Sequence, residues 1–139
     1  MLKEILSISG RPGLFKLISY GKNMLVVESL IDKKRMPAYT RDRIISLGDI
    51  AIYTYNEDVP LGVVFESIFK KYEGKRVDAS LLKSDKDLDK FFKEVLPEYD
   101  EDRVYKTDIK KVISWYNILV DNGFTEFKKK EEPEAEKED

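Results

Sequence analysis

The chain has 139 residues, of which 42% are hydrophobic and 37% are charged, and its formal net charge is −2. It contains no histidine and no cysteine, which excludes zinc sites, Cys–His and Ser–His–Asp catalysis, histidine-ligated haem and disulfides. No apolar run approaches the roughly 20 residues that cross a bilayer, and the first residues lack the pattern of a signal peptide. We therefore expect a cytoplasmic protein of one ordinary domain or two small ones.

Charge is divided unevenly along the chain. Residues 1–56 carry nine basic and five acidic side chains, whereas residues 57–139 carry sixteen basic and twenty-two acidic ones. A domain dedicated to nucleic acid is normally strongly basic. A weakly basic first part followed by an acidic second part argues against that class as the main function.

Short apolar segments separated by turn residues fill the first part of the chain. Gly21, Lys22 and Asn23 lie between two such segments and predict a hairpin. Further segments over residues 43–46 and 50–55 flank a turn at Gly48. Five or six strands within sixty residues favour an α+β fold that begins with a small antiparallel SH3-like β-barrel.

The hydrophobic period then changes from that of strands to that of helices. Asp58 is a candidate cap for a helix with Pro60 in its first turn, and Ser84 and Thr107 are candidate caps for two more helices. Asn122 and Gly123 form a typical C-terminal signal. The predicted organisation is a β-barrel over residues 1–58, a connecting amphipathic helix over 59–74, a linker over 75–83, a helical module over 84–127 and a disordered charged tail over 128–139.

Three stretches of the chain, taken together, resemble a conserved hypothetical bacterial family of unknown function. They are residues 2–15 (LKEILSISGRPGLF), 45–53 (ISLGDIAIY) and 108–117 (DIKKVISWYN). The resemblance covers roughly residues 1–125 and implies a small β-rich N-terminal module followed by a short helical C-terminal module. It implies no activity, ligand or catalytic residue.

A basic hairpin is the first candidate site. Its basic side chains could contact a phosphate backbone, and its tyrosine could stack on a base. The residues are Lys33, Lys34, Arg35, Tyr39, Arg41 and Arg43. Glu28, Asp32 and Asp42 lie among them and weaken the field. The alternative is a charged turn that keeps an edge strand soluble, and this alternative is favoured.

Two loops have residue types that bind ions, but their spacing does not match a binding motif. Residues 9–13 (SGRPG) lack the spacing of a phosphate-binding loop, so a plain turn is favoured. Residues 98–102 (EYDED) lack the EF-hand pattern, so a solvated loop is favoured. We expect no metal and no cofactor.

Trp115 and Tyr116 are adjacent within a predicted helix, so the two rings point in different directions. Packing in the core is the simpler interpretation of either ring. The other interpretation is that one of them lies at an interface with a partner, where such residues are enriched.

These observations favour a non-enzymatic protein that binds a protein partner or associates with itself. The alternative is a nucleic-acid-binding or ribosome-associated module that uses the basic hairpin. A third hypothesis is an enzyme built on carboxylates, which is disfavoured because acid–base catalysis most often uses histidine. No membrane partner is expected.

Overall fold

The computed structural model describes residues 2–11, 13–39, 41–78, 80, 82–124 and 127. It shows an α+β protein in which a five-stranded antiparallel sheet precedes three helices. The strands are β1 (Ile5–Ile8), β2 (Phe15–Gly21), β3 (Met24–Ser29), β4 (Arg35–Tyr39), β5 (Ile44–Ser46), β6 (Ala51–Ile52) and β7 (Val59–Pro60), and the helices are α1 (Leu61–Lys71), α2 (Asp85–Val95) and α3 (Lys106–Asp121). Short 3-10 turns occur at Leu2–Glu4 and Leu47–Asp49.

The first five strands form one sheet in the order β4-β3-β2-β1-β5. The predicted hairpin is confirmed, because Gly21 pairs with Met24 and Asn23 in the turn has a φ of 59°. A positive φ is tolerated by asparagine better than by most residues, and it suits the tight reversal. The register of β2 shifts between Leu17 and Ser19, which marks an irregularity that bends the strand.

The sheet curls because its two opposite edges are joined by a short loop. In a flat sheet β4 and β5 would lie about 19 Å apart, whereas the five peptide steps from Tyr39 to Ile44 reach at most about 18 Å. That loop is not extended, since the Asp42 amide donates to the Tyr39 carbonyl over 2.9 Å. The curled sheet encloses a small apolar cluster of Leu6, Ile8, Phe15, Val27 and Ala38.

The curl does not become a closed barrel, which corrects the expected barrel. Among the described residues β4 and β5 each pair with one neighbour only. A side chain crosses the opening instead: the Arg11 guanidinium lies 2.8 Å from Met36 Sδ and donates to the Pro37 carbonyl over 3.4 Å.

The segment after β5 also differs from the prediction. Residues 50–55 were expected to form a strand of the barrel, but β6 pairs with β7 in a separate two-stranded sheet. The physical reason is the 3-10 turn at Leu47–Asp49, where Ser46 Oγ accepts from the Gly48 amide and the chain turns away from the first sheet. Thr54 then forms an isolated antiparallel bridge with Tyr99.

The helix boundaries confirm some predicted caps and correct others. Ser84 caps α2, with its Oγ accepting from the Asp87 amide over 3.1 Å. The Asp58 and Thr107 predictions are wrong: α1 begins directly after Pro60, and α3 begins after Tyr105, whose amide donates to the Asp108 carboxylate over 3.0 Å. Carboxylates near a helix N-terminus are stabilised by the helix dipole, which favours this earlier start.

One large core joins the sheet to the helices. The sheet side contributes Leu2, Ile5, Leu14, Leu30 and Leu47, which lie in the same buried cluster as the inward faces of α1, α2 and α3. Phe127 lies below 2% exposure in that cluster, between the rings of Phe65, Phe69 and Tyr116. The predicted tail over residues 128–139 falls outside the described part of the chain.

Two asparagines, one on α3 and one directly after it, connect other segments to that helix. The buried Asn117 side chain accepts from the Val77 amide over 2.7 Å and donates to the Val77 carbonyl over 2.9 Å. At the end of the helix, Asn122 donates to the Leu30 carbonyl over 3.1 Å. No helix in the described part of the chain is long and apolar enough to cross a membrane.

Candidate functional site

The structure divides the predicted basic hairpin into two groups. Lys33 and Lys34 precede β4, whereas Tyr39 ends it and Arg41 and Arg43 follow it. A strand of this length separates its ends by about 13 Å. The six residues therefore do not form one continuous basic surface.

The first group lies at the turn between β3 and β4. Lys33 has a φ of 65°, and its ammonium group donates to the side-chain oxygen of Asn122. The Lys34 amide donates to Asp32 over 3.0 Å, and Arg35 pairs across the sheet with Glu28. These contacts agree with a charged turn at a sheet edge.

Trp115 and Tyr116 have separate environments. Tyr116 is fully buried, and its hydroxyl donates to the Lys75 carbonyl over 2.9 Å. Burial raises the pKa of Tyr116 to about 12. The prediction that Tyr116 contacts a partner is therefore wrong, because Tyr116 belongs to the core. Trp115 is half-buried and faces a surface cleft.

This cleft, called here the aromatic cleft, lies between the β6 region, the loop before α3 and α3 itself. Its volume is about 210 Å³. Its lining residues are Ile50, Ala51, Ile52, Tyr53, Leu61, Arg103, Val104, Asp108, Lys111, Val112 and Trp115. The floor is therefore mostly apolar, and polar side chains stand at the rim.

Two neighbours position the Arg103 side chain at the rim. Its Nε donates to the Asp100 carboxylate over 2.8 Å, and its Cζ lies 4.4 Å from the centroid of the Tyr53 ring. The hydrogen bond from Arg103 and that from the Asp102 amide keep the pKa of Asp100 below its usual value. A guanidinium fixed in this way presents its remaining donors without having to be ordered when a ligand binds.

Exposed tyrosines surround the aromatic cleft. Tyr53 is 43% exposed, and Tyr55 and Tyr105, on the adjoining segments, are 61% and 66% exposed. The Tyr55 hydroxyl accepts weakly from the Glu101 amide, which ties the β6–β7 loop to the loop before α3. Exposed tyrosine and tryptophan near an apolar depression are typical of protein interfaces.

The aromatic cleft is small compared with a typical ligand pocket. Pockets for drug-sized ligands usually occupy about 300–1,000 Å³, so 210 Å³ suits one or two side chains better than a cofactor. The Asp108 carboxylate already accepts from the Tyr105 amide. No group of three or more acidic residues in the described part of the chain could hold a metal ion.

A second depression, of about 410 Å³, lies beside α3 on another side. It is bordered by Arg76, Leu82, Lys110 and Ile118 among others, and no aromatic ring belongs to its described lining. The aromatic cleft is therefore the better candidate for recognition.

The two loops that resembled ion sites have structural roles among the described residues. In the loop before α3, the nearly buried Asp100 pairs with Arg103, and in the β1–β2 turn the Arg11 amide donates to the Ile8 carbonyl. Sequence reasoning missed Tyr53, Arg103 and Lys111 as cleft residues. The sequence contained one signal for this site: Arg103 is the first basic residue after the acidic residues of the 98–102 loop.

The fold defines a class of α+β protein in which a β-rich N-terminal part precedes a helical C-terminal part. Two family models match the chain: Domain of unknown function (DUF5606) over residues 2–47 and Domain of unknown function (DUF6852) over residues 50–119. A protein from Bacteroides vulgatus with a solution NMR structure is similar to this chain: the two sequences are 59% identical, and the structures match with a TM-score of 0.75 over 91% of each chain. The chain thus belongs to the family in which these two domains follow one another, which confirms the resemblance found in the sequence. The comparison with curated proteins found no match.

Proposed function

We propose that the protein is a non-enzymatic interaction module whose aromatic cleft binds a segment of a protein partner. The proposal is carried by one observation: Trp115, Tyr53 and the fixed Arg103 guanidinium converge on a side-chain-sized apolar depression. A few residues supply most of the binding energy in known interfaces, and Trp, Tyr and Arg are enriched among them.

The apolar floor specifies one half of the ligand. Ile52, Leu61 and Val112 lie at the bottom of the cleft and are themselves buried in the core, so they offer a rigid surface. Filling such a depression with an aromatic or aliphatic side chain removes apolar surface from water on both partners, at about 25 cal/mol per Å². The expected anchor is therefore a phenylalanine, leucine or similar side chain.

The charged rim specifies the other half. Lys111 is exposed and forms no ion pair among the described residues. Arg103 donates to Asp100 through its Nε, and its terminal nitrogens make at most one weak contact, to the Thr54 carbonyl. The Asp108 carboxylate is directed to the Tyr105 amide. A carboxylate next to the anchor would meet both cations, so the proposed partner segment combines an apolar side chain with an adjacent acidic one.

The chain contains a single tryptophan, Trp115, and it lines the cleft, so its fluorescence reports occupancy directly. The full chain is titrated with the blocked peptide acetyl-Ala-Phe-Glu-Ala-amide while the Trp115 emission is recorded. We expect saturable binding near 1 mM, since a short flexible peptide loses entropy when it binds. The peptide with Gln in place of Glu should bind several-fold more weakly, and the peptide with Ala in place of Phe should not bind measurably.

Matched variants locate the binding. Tyr53→Ala and Lys111→Ala should each weaken binding of the Phe–Glu peptide, whereas Tyr20→Ala, which removes an exposed tyrosine from the β2–β3 hairpin, should leave it unchanged. An unchanged Trp115 emission with all three peptides would refute the proposal. A dimer in sedimentation velocity that Tyr53→Ala dissociates would also overturn it, because the occupant would then be a second copy of the chain.

A further inference from the structure

The second basic group forms a compact surface at one corner of the curled sheet, called here the arginine corner: Arg11, Tyr39, Arg41 and Arg43. Two backbone segments meet there, because the Ser9 amide donates to the Arg43 carbonyl over 2.9 Å. The Arg11 side chain reaches from the β1–β2 turn to the Pro37 carbonyl, 3.4 Å away on β4. Arginines that are distant in sequence are thus brought together by the curl of the sheet.

Three arginines outnumber the acidic residue among them, Asp42, at the arginine corner. Arg11, Arg41 and Arg43 form no ion pair within the described part of the chain, whereas Arg76 and Arg103 in the helical part each pair with an aspartate, at 3.1 Å and 2.8 Å. The acidic residue between Arg41 and Arg43 is Asp42, whose carboxylate accepts from the Tyr39 amide over 2.8 Å. The Asp42 charge reduces the local field but forms no ion pair with these arginines among the described residues, so an anion would meet guanidinium donors that no carboxylate occupies.

An aromatic ring forms part of the same surface. The Arg41 Cζ lies 4.6 Å from the centroid of the half-buried Tyr39 ring. Stacked tyrosine and arginine planes provide a flat surface on which a nucleic-acid base can stack, and the guanidinium donors match two phosphate oxygens at once.

We propose that the arginine corner binds single-stranded nucleic acid, with Arg11, Arg41 and Arg43 on the phosphates and Tyr39 beneath a base. This activity is separate from the proposed docking of a protein segment, which occurs at a different surface. The structure favours nucleic acid over an acidic peptide because planar arginines and a ring fit both parts of a nucleotide. The net charge of −2 keeps non-specific attraction of polyanions small, so binding must come from this local surface.

A fluorescently labelled oligothymidylate of about 12 nucleotides is titrated with the full chain, and binding is followed by fluorescence anisotropy. This length lies within the site sizes of roughly 4–16 nucleotides known for small modules. Three phosphate contacts to a single strand predict a slope of about −2 in log affinity against log salt. Between about 50 and 200 mM salt the affinity should therefore fall by roughly 15–20-fold.

A matched pair of double variants tests the location. Arg41→Glu with Arg43→Glu should weaken binding by at least about tenfold, and Lys33→Glu with Lys34→Glu, which makes the same charge change at the other end of β4, should weaken it by less than about twofold. Arg41→Lys keeps the charge but removes the planar group over Tyr39, and a loss of several-fold is expected. Thermal melting confirms that each variant is folded.

Three results would each overturn the proposal. One is the absence of binding at about 50 mM salt, where electrostatic contacts are strongest. Another is an equal loss of affinity in the two double variants, which would indicate a general charge effect. The third is displacement of the labelled strand by polyglutamate as effectively as by unlabelled oligothymidylate, which would indicate an acidic polypeptide as the ligand.

Discussion

Replacement of Asn117 by alanine should destabilise the protein strongly. Asn117 and Val77 are 7% and 3% exposed, and the Asn117 carboxamide satisfies both polar backbone groups of Val77. In Asn117→Ala these groups lose their partners in a place that water does not reach freely. An unsatisfied buried group costs about 1–3 kcal/mol.

The two orphaned groups together cost about 2–6 kcal/mol, and the better helix propensity of alanine returns roughly 0.5 kcal/mol. The expected net loss in the free energy of unfolding is therefore about 2–5 kcal/mol, a large part of the total stability of a domain of this size. Urea unfolding followed by Trp115 emission measures it, since Trp115 lies on the same helix.

Ser114→Ala is the matched control, because Ser114 is exposed on α3 and its change should stay within about 0.5 kcal/mol. A loss below about 1 kcal/mol in Asn117→Ala would refute the reasoning. That result would mean that the segment around Val77 finds other partners once the amide clamp is removed.

Three further predictions concern packing and ionisation. Gly62→Ala should lower the free energy of unfolding by about 1–3 kcal/mol, measured in urea, because the new Cβ would lie 2.4 Å from the Phe127 carbonyl oxygen. Alanine favours helices more than glycine does, so a gain in stability would contradict this contact. The pKa of Tyr116 is raised to about 12, so its stabilising effect is complete below pH 10 and is lost as the pH rises towards 12, on the order of 2 kcal/mol. Tyr116→Phe should reduce the alkaline loss of stability by that amount, while Tyr72 and Tyr99, whose pKa values burial also raises, keep their own contributions; an unchanged alkaline loss would contradict the burial of the Tyr116 hydroxyl. The Arg103 hydrogen bond lowers the pKa of Asp100 below its usual 3.8, so the stability that this carboxylate contributes is complete at pH 7 and is lost only as the pH falls through the lowered pKa. Asp100→Asn should therefore lower the urea midpoint most at pH 7, and the difference should shrink as the pH is lowered below about 4; equal midpoints at pH 7 would contradict the ion pair.

Local patterns in the sequence were sufficient to predict most of the secondary structure. The Gly21–Asn23 hairpin and the Ser84 cap depend on residues that are neighbours along the chain, and both are confirmed. Tyr105 was missed as the cap of α3 because Thr107 has the usual cap chemistry, whereas the Asp108 carboxylate decides the outcome. Open or closed sheet geometry depends on how distant strands meet, which local patterns do not contain.

The candidate site was predicted only in part. Trp115 and Tyr116 were both candidates because adjacent large aromatics on a helix cannot both face the core; the structure buries Tyr116 and leaves Trp115 half-buried, and a partner contact at Trp115 stays a prediction. Arg103 and Tyr53 meet only because the chain brings residues fifty positions apart together through the bridge between Thr54 and Tyr99. Such a contact has no signature in either segment alone.

The boundary between the two matched families falls at residues 47–50, yet the buried cluster runs across it without a break. A fragment cut there would expose Leu14, Leu30 and Leu47 on one piece and the inner faces of the helices on the other. The N-terminal piece would keep only the small cluster inside the curled sheet, so separately produced halves should be less stable than the whole chain and should tend to aggregate or recombine. Exchange of either half for that of a distant relative should therefore require compensating changes in the other half, where the shared cluster is packed.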